Sequence, residues 1–235
     1  MIVRDANDSL HLITQPDHAA LARRVMESWR TDGLTSHPHR DSILHAVEQH
    51  DNGWREVDAV PMLTADGRVA DFITLPLGAR QGVWPRGVNR LAGDPYAAAL
   101  VAEHAIFVFE RFRADVDWAP FFAEMAVLRA KYLAESGRAI EELHRDYAFL
   151  RLADLISLTF CNRWTDVHDV FGHRIAGDGD AGVQVTPDPF GGETMILEVA
   201  ARVVPNRNYR DDADLLAAWR EADVVSLTGT VSAEK

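Results

Sequence analysis

The sequence predicts a mainly α protein, a helical bundle with a small β-sheet formed by an N-terminal hairpin and C-terminal strands. Three observations support this prediction. In a helical core of about residues 16–161, outside the stretch from 53 to 93, apolar residues recur every three or four positions, as they do on one face of a helix. Residues 1–14 and about 182–232 contain segments in which apolar and polar residues alternate. No internal repeat or low-complexity tract divides the chain, so all of residues 1–235 are predicted to form a single domain.

Strand patterns lie at the two ends of the chain. Apolar and polar residues alternate on either side of Asn7-Asp8, which predicts two strands joined by a tight turn. Near the other end, a turn rich in Gly and Asp spans residues 177–182. It precedes three predicted strands and one short helix, at Val183–Thr186, Met195–Val204, Asp211–Ala222 (the helix) and Val224–Val231. We therefore expect a C-terminal α+β segment over about residues 182–232.

Capping residues and helix breakers set the predicted helices between these ends. Thr14 can cap a first helix that runs to about Trp29, with Pro16 in its first turn and Asp17 at its third position. Further helices are expected over residues 41–52, 94–112, 120–135 and 137–161. Between residues 53 and 93, Pro and Gly recur without a sustained period, which predicts a long loop with functional potential.

Composition excludes several classes of function. Apolar residues make up 47% and charged residues 26% of the chain, as in ordinary globular proteins. The net charge of −12 would repel a bare phosphate backbone, so we expect no non-specific binding of nucleic acid. No apolar run predicts a membrane span or a signal peptide, so a cytoplasmic protein without membrane contact is expected. Cys161 is the single cysteine, so any metal site must use His and carboxylate ligands.

Metal-capable residues fall on the core side of four predicted helices. They are His18, His50, Asp51, His104 and Asp154. A buried carboxylate is costly unless it is paired or bound to a cation, and one divalent metal would satisfy both aspartates. We expect His18, His50, Asp51 and Asp154 as ligands, with His104 as an additional ligand or an acid/base group. Mixed imidazole and carboxylate ligands suit Fe, Mn, Zn, Co or Ni better than Mg, and the sequence leaves the metal's identity open.

The order of these residues resembles the HD-domain superfamily of metal-dependent phosphohydrolases, in which a His, a His-Asp pair and a later Asp follow one another. Within that superfamily, the segment His50-Asp51-Asn52-Gly53-Trp54 and its surroundings look like a bacterial family known only as a domain of unknown function. The resemblance implies a helical bundle, a divalent metal and hydrolysis of phosphate esters. The superfamily often carries two adjacent His between the pair and the last Asp. Only His104 fits that region here, which favours a mononuclear site.

The function expected from this pattern is metal-dependent hydrolysis of a small phosphate ester or nucleotide. Asp51 would bind the metal and orient the attacking water, and His104 would contact the phosphoryl group or move a proton. Contacts to this small-molecule substrate are expected from the long loop, through Trp54, Trp84, Arg80, Arg86 and Arg90.

Two alternatives stay open at this stage. An HD-type oxygenase could hold iron with the same His and Asp residues. A catalytically silent helical domain could instead bind a small ligand or a partner, with these side chains forming a hydrogen-bonded core network. Of the remaining polar residues, His168, Asp169 and His173 lie beside a Gly-rich turn, and we interpret them as loop-stabilising residues.

Overall fold

Strands from both ends of the chain form one sheet in the computed structural model, which describes residues 1–233. The strands are β1 (Ile2–Asp5), β2 (Ser9–Ile13), β3 (Val167–Val170), β4 (His173–Gly177), β5 (Gly182–Thr186), β6 (Met195–Pro205) and β7 (Asp223–Ala233). Their order across the sheet is β1-β2-β6-β7-β5-β4-β3, and the sheet forms a half-barrel. β5 and β7 are parallel, whereas the other neighbouring strands are antiparallel.

The prediction of a mainly α, or all-α, fold was wrong. About 51% of the residues are helical, and the seven-stranded mixed sheet makes this an α/β fold. The two ends of the chain do meet, because β2 pairs with β6, but the sheet is much larger than expected. Sequence analysis missed β3 and β4, which contain His168, Asp169 and His173. The sequences of these strands, Val-His-Asp-Val and His-Arg-Ile-Ala-Gly, do not alternate apolar and polar residues, so the segment was interpreted as loop.

Eight α-helices lie in the described part of the chain. They are α1 (Gln15–Glu27), α2 (Arg40–Gln49), α3 (Arg55–Asp58), α4 (Leu77–Arg90), α5 (Pro95–Val108), α6 (Ala119–Ser136), α7 (Ile140–Asn162) and α8 (Asp212–Glu221). Thr14 caps α1 as predicted, since its side chain accepts a hydrogen bond from the Asp17 amide at 3.1 Å. Within residues 1–233, no helix combines the length and the apolar character that crossing a bilayer requires.

The prediction of a loop over residues 53–93 was wrong for α4, whose amino-acid composition is typical of a loop. α4 includes Pro85 and three glycines, all residues that weaken a helix in isolation. Tertiary packing outweighs these local preferences, because Val83, Trp84 and Val88 are buried against the core. The helix also approaches the chain after α2 so closely that a Cβ atom on Gly53 would lie 2.0 Å from the Val83 carbonyl oxygen.

The long helix α7 is the centre of the structure. It contacts α1, α2 and α5 as well as the strands β1, β4 and β5. Most of its residues between Leu143 and Cys161 are therefore buried, including the polar side chains of Asp154, Ser157 and Thr159. A carboxylate in this position needs partners from the neighbouring helices, and those partners define the site described next.

Candidate metal centre

Five His and Asp side chains meet in the core, and we refer to them as the His–Asp cluster. α1 contributes His18, the end of α2 is followed by His50 and Asp51, α5 contributes His104, and α7 contributes Asp154. Each of the five is at most 5% exposed. Nε2 of His18 lies 2.9 Å from Oδ2 of Asp51, and Nε2 of His50 lies 3.5 Å from Oδ2 of Asp51 and from Oδ1 of Asp154. The structure thus brings together all five residues that the sequence predicts.

Neighbouring groups fix the orientation of the two inner imidazole rings. Nδ1 of His50 donates a hydrogen bond to the Val47 carbonyl oxygen at 2.8 Å. The Ser157 hydroxyl donates to the Asp154 carbonyl oxygen, so its oxygen can accept from Nδ1 of His18 at 2.8 Å. Nε2 of both rings therefore faces the carboxylates, which is the arrangement of imidazoles that bind a metal. Nε2 of His50 is buried and has no hydrogen-bond partner among the described residues.

The atoms of the His–Asp cluster are spaced as the ligands of one metal ion would be. Two overlapping groups have ligand atoms within 4.8 Å of one another: His18, His50 and Asp51, and His50, His104 and Asp154. Both groups use His50, whose single free nitrogen can bind only one ion, so they describe one centre. For metal–ligand bonds of about 2.1 Å, neighbouring ligand atoms lie about 3.0–3.4 Å apart. The distances of 2.9 and 3.5 Å within the cluster lie just below and just above that range, and Nε2 of His18 is 4.0 Å from Oδ1 of Asp154, so small side-chain shifts would bring all four groups onto one ion.

Burial and charge act in opposite directions on the acid–base properties of the cluster. Burial disfavours the charge on His50, but the negative charges of Asp51 and Asp154 outweigh burial and raise its pKa to about 9. Burial would raise the pKa of Asp154, yet its contacts with His50 and Arg151 hold that pKa well below the usual range. For His104 burial dominates and lowers its pKa to about 3, so this ring is neutral near pH 7.

Two further residues that the sequence analysis did not select hold the outer part of the cluster. Nη1 of Arg151 donates to Oδ2 of Asp154 at 2.6 Å, which leaves Oδ1 of Asp154 towards His50. The Tyr147 hydroxyl lies 3.1 Å from Nδ1 of His104. Both residues lie on α7, with Arg151 one turn before Asp154 and Tyr147 two turns before it. Asp154 was already predicted to lie on this helix, so the three- and seven-residue spacings from Arg151 and Tyr147 to Asp154 were a signal available in the sequence.

A cavity of about 340 Å³ opens onto the cluster, and His18, Asp51, His104 and Asp154 form its inner wall. Aromatic and apolar side chains make up most of the remaining wall: Trp54, Phe72, Ile73, Trp84, Phe107, Val108, Phe109, Leu158 and Trp164. Five polar atoms of the lining residues are buried without a hydrogen-bond partner in residues 1–233: Oε1 of Gln15, the indole nitrogens of Trp54 and Trp84, and Nε of Arg80 and of Arg151. Unsatisfied donors and an acceptor therefore lie in the residues that surround the cavity.

Of the five residues from which substrate contacts were expected, three line the cavity and two lie outside it. Trp54, Trp84 and Arg80 line the cavity, together with Arg111 and Arg151, which the sequence analysis had not selected. Arg86 and Arg90 lie outside it and bind the backbone after α2. Arg86 donates to the Gly53 carbonyl oxygen at 2.6 Å, and Arg90 donates to the Asn52 carbonyl oxygen at 2.7 Å. Their positions support the turn that carries His50 and Asp51, which is a structural role.

Comparisons with known proteins identify a family but no activity. A family described as protein of unknown function, DUF3891, matches residues 1–206. No curated protein and no solved structure matches the chain. The chemistry of the site must therefore be argued from its own residues.

Proposed function

We propose that this chain, which belongs to the DUF3891 family of unknown function, is a metal-dependent phosphohydrolase acting on a small phosphate ester. One observation carries the proposal. Nε2 of His50 is buried, lacks a hydrogen-bond partner among the described residues, and lies between the carboxylates of Asp51 and Asp154. A buried nitrogen of this kind beside two carboxylates is what a metal centre requires.

His18, His50, Asp51 and Asp154 would hold the metal through Nε2 of each ring and one oxygen of each carboxylate. The mixture of two imidazoles and two carboxylates favours Fe, Mn, Zn, Co or Ni over Mg. When bound, such a cation supplies Lewis acidity at a phosphoryl oxygen and makes water acidic enough to act as a nucleophile at neutral pH. Neighbouring groups hold three of these ligands in place: the Val47 carbonyl oxygen contacts His50, the Ser157 hydroxyl contacts His18, and Arg151 contacts Asp154.

The chain's own residues can bind and orient a phosphate ester in front of this centre. Arg151 reaches the cavity with one guanidinium nitrogen on Asp154, and its Nε is buried without a partner among the described residues. The indole N–H groups of Trp54 and Trp84 are further donors that a phosphoryl oxygen could accept from. Asp51 would orient the attacking water, and neutral His104 would move a proton to or from the reacting group. The aromatic wall excludes bulk water from this end of the cavity.

The order of the cluster residues along the chain supports the same proposal. His18, the His50-Asp51 pair, His104 and Asp154 come from separate helices in the order that resembles the HD-domain superfamily. We propose HD-type chemistry on this basis, within an architecture that also contains a seven-stranded sheet. Because both ligand groups depend on the one free nitrogen of His50, we propose a mononuclear centre.

Elemental analysis of protein purified without an affinity tag, combined with a hydrolysis screen, tests this proposal. We expect about one divalent metal per chain, turnover of at least one phosphomonoester or nucleotide, and loss of turnover after chelation. Chelation should also lower the melting temperature, because a ligand bound to the native state stabilises it. Metal without turnover of any phosphate would contradict hydrolysis. An iron-specific, oxygen-consuming reaction would instead favour an oxygenase. Protein that contains no metal, and whose melting temperature does not change when chelator is added, would favour a binding domain.

Metal affinity should rise with pH up to about 9. The pKa of His50 is raised to about 9 in the metal-free protein, so near pH 7 its ring carries a proton that the metal must displace. Displacing one proton makes the apparent affinity increase about tenfold per pH unit below that pKa. Titration of the metal-free protein at pH 6.5, 7.5 and 8.5 in two buffers of different ionisation enthalpy measures both the affinity and the proton release. A pH-independent affinity would contradict His50 as a ligand.

A further inference from the structure

Two arginines at the outer part of the cavity lack the partners that arginines in this chain usually have. Arg80 and Arg111 both line the cavity that opens onto the His–Asp cluster. Among residues 1–233 neither guanidinium group is hydrogen-bonded or paired with a carboxylate, although the chain carries 36 acidic residues and has a net charge of −12. Nε of Arg80 is moreover buried without a partner in the same part of the chain. Two unpaired guanidinium groups on one cavity wall indicate a site for an anion.

Aromatic rings hold both guanidinium groups in place. Cζ of Arg80 lies 5.5 Å from the centroid of the Trp118 ring and 6.0 Å from that of Phe112, and Cζ of Arg111 lies 4.7 Å from the Phe112 centroid. Phe112 and Trp118 stack on each other with an interplanar angle of 4°. Stacking of this kind orients an arginine while leaving its N–H groups available to a ligand.

A chain of ring contacts leads from the His–Asp cluster to these arginines. The Trp84 ring lies 5.7 Å from His104 and 5.9 Å from Phe109, and Phe109 lies 4.5 Å from Trp118. Arg80 precedes Trp84 by four residues on α4, so it lies about 6 Å further along that helix. The guanidinium groups are therefore separated from the cluster by an apolar and aromatic stretch of the cavity.

We propose that Arg80 and Arg111 bind a second anionic group of the substrate, a carboxylate or a second phosphate. This inference rests on the proposed function and narrows its substrate class. The substrate would be a phosphate ester with its reacting phosphate at the His–Asp cluster, an apolar or aromatic middle against Trp84, and the second anion at the outer end. Asp51 and Asp154 are the only acidic residues that line the cavity within the described chain, and both belong to the His–Asp cluster, so no acidic side chain lines the cavity at the arginines.

Binding of non-hydrolysable phosphonates to the purified metal-containing protein tests this inference. The probes are phenylphosphonate, 4-carboxyphenylphosphonate and the longer 4′-carboxybiphenyl-4-phosphonate, measured by calorimetry. We expect at least one carboxylated probe to bind about tenfold more tightly than phenylphosphonate, as a charge-assisted contact would produce. The double variant R80Q/R111Q should lose this preference and keep its affinity for phenylphosphonate, and R80K/R111K should retain part of it.

Arg113→Gln is the matched control. Arg113 lies on the same segment, pairs with Glu110 and stacks on Phe122, and it does not line the cavity. Equal affinity for all probes, or a preference that survives R80Q/R111Q, would overturn the inference. Hydrolysis is measured separately. A preference for carboxylated probes without turnover of any phosphate ester would contradict the proposed hydrolysis and support the anion site. Turnover of a phosphate ester without that preference would support hydrolysis and contradict the anion site.

Discussion

Asp51→Asn should remove the bound metal and abolish hydrolysis of phosphate esters. Oδ2 of Asp51 lies 2.9 Å from Nε2 of His18 and 3.5 Å from Nε2 of His50, so this one oxygen faces both imidazole ligands. An amide is similar in shape but lacks the negative charge that a divalent cation needs. Changes outside the ligand set already reduce metal affinity about 10–100-fold, so loss of this carboxylate should cost at least about 100-fold. Metal content and turnover of the best phosphate ester measure the effect.

Asp146→Asn provides the matched control for this substitution. Asp146 is also a buried carboxylate on α7, but it accepts a hydrogen bond from the Tyr96 hydroxyl at 2.6 Å and lies outside the His–Asp cluster. We expect Asp146→Asn to leave metal content and turnover within about twofold of wild type while lowering stability by about 1 kcal/mol. If Asp51→Asn kept its metal and its activity, the assignment of Asp51 as a ligand would be wrong.

Asp51→Asn should have a second consequence, which concerns the protein without metal. Without metal, the pKa of His50 is raised to about 9 by the two carboxylates. Its folded-state pKa lies above the unfolded value, so this contribution to stability is complete below about pH 6.5 and is lost as pH rises through about 9. Asp51→Asn should weaken that pH dependence of the metal-free protein, as chemical denaturation at pH 6.5 and 9.5 would show.

The candidate site was accessible from the sequence because helical periodicity is a local property. Apolar residues lie three or four positions from His18 in α1 and from Asp154 in α7, and both helices are long enough for this period to be clear. Arg111 gave no such signal, because it lies in a short turn after α5 and its role depends on its position beside Phe112. Contacts of this kind arise from tertiary structure alone.

The sheet and α4 could not be predicted for related reasons. In the described structure β3 pairs with β4, and β4 pairs with β5. Both strands are short, and their sequences do not alternate apolar and polar residues, so the strand pattern is absent from them. α4 has the composition of a loop, and its helical conformation depends on packing against the turn that contains Gly53. Local preference predicts an element well only where tertiary packing agrees with it. In α4, which contributes Arg80 and Trp84 to the cavity wall, local preference favours a loop and tertiary packing favours a helix.

Gly53→Ala should be strongly destabilising and should also weaken the metal centre. A Cβ atom at this position would lie 2.0 Å from the Val83 carbonyl oxygen and 3.1 Å from the Gly87 amide nitrogen, both backbone atoms of α4. Backbone cannot move aside as a flexible side chain does, so α4 must shift as a unit, and we expect a loss of about 3 kcal/mol. Because Gly53 follows His50-Asp51 by two residues and its carbonyl accepts from Arg86, metal affinity should fall as well. Thermal denaturation and metal titration measure the two effects.

Gly82→Ala tests the same argument with the opposite expected sign. Gly82 lies within α4 only one residue before Val83, yet nothing approaches within 4 Å of an added Cβ atom. Alanine is favoured over glycine in a helix, so Gly82→Ala should stabilise the protein by about 0.5–1 kcal/mol and leave metal affinity unchanged. If both substitutions had the same small effect, α4 would not depend on close contact with Gly53. The helix would then be free to move relative to His50 and Asp51, and the positions of Arg80 and Trp84 could not be set by that contact.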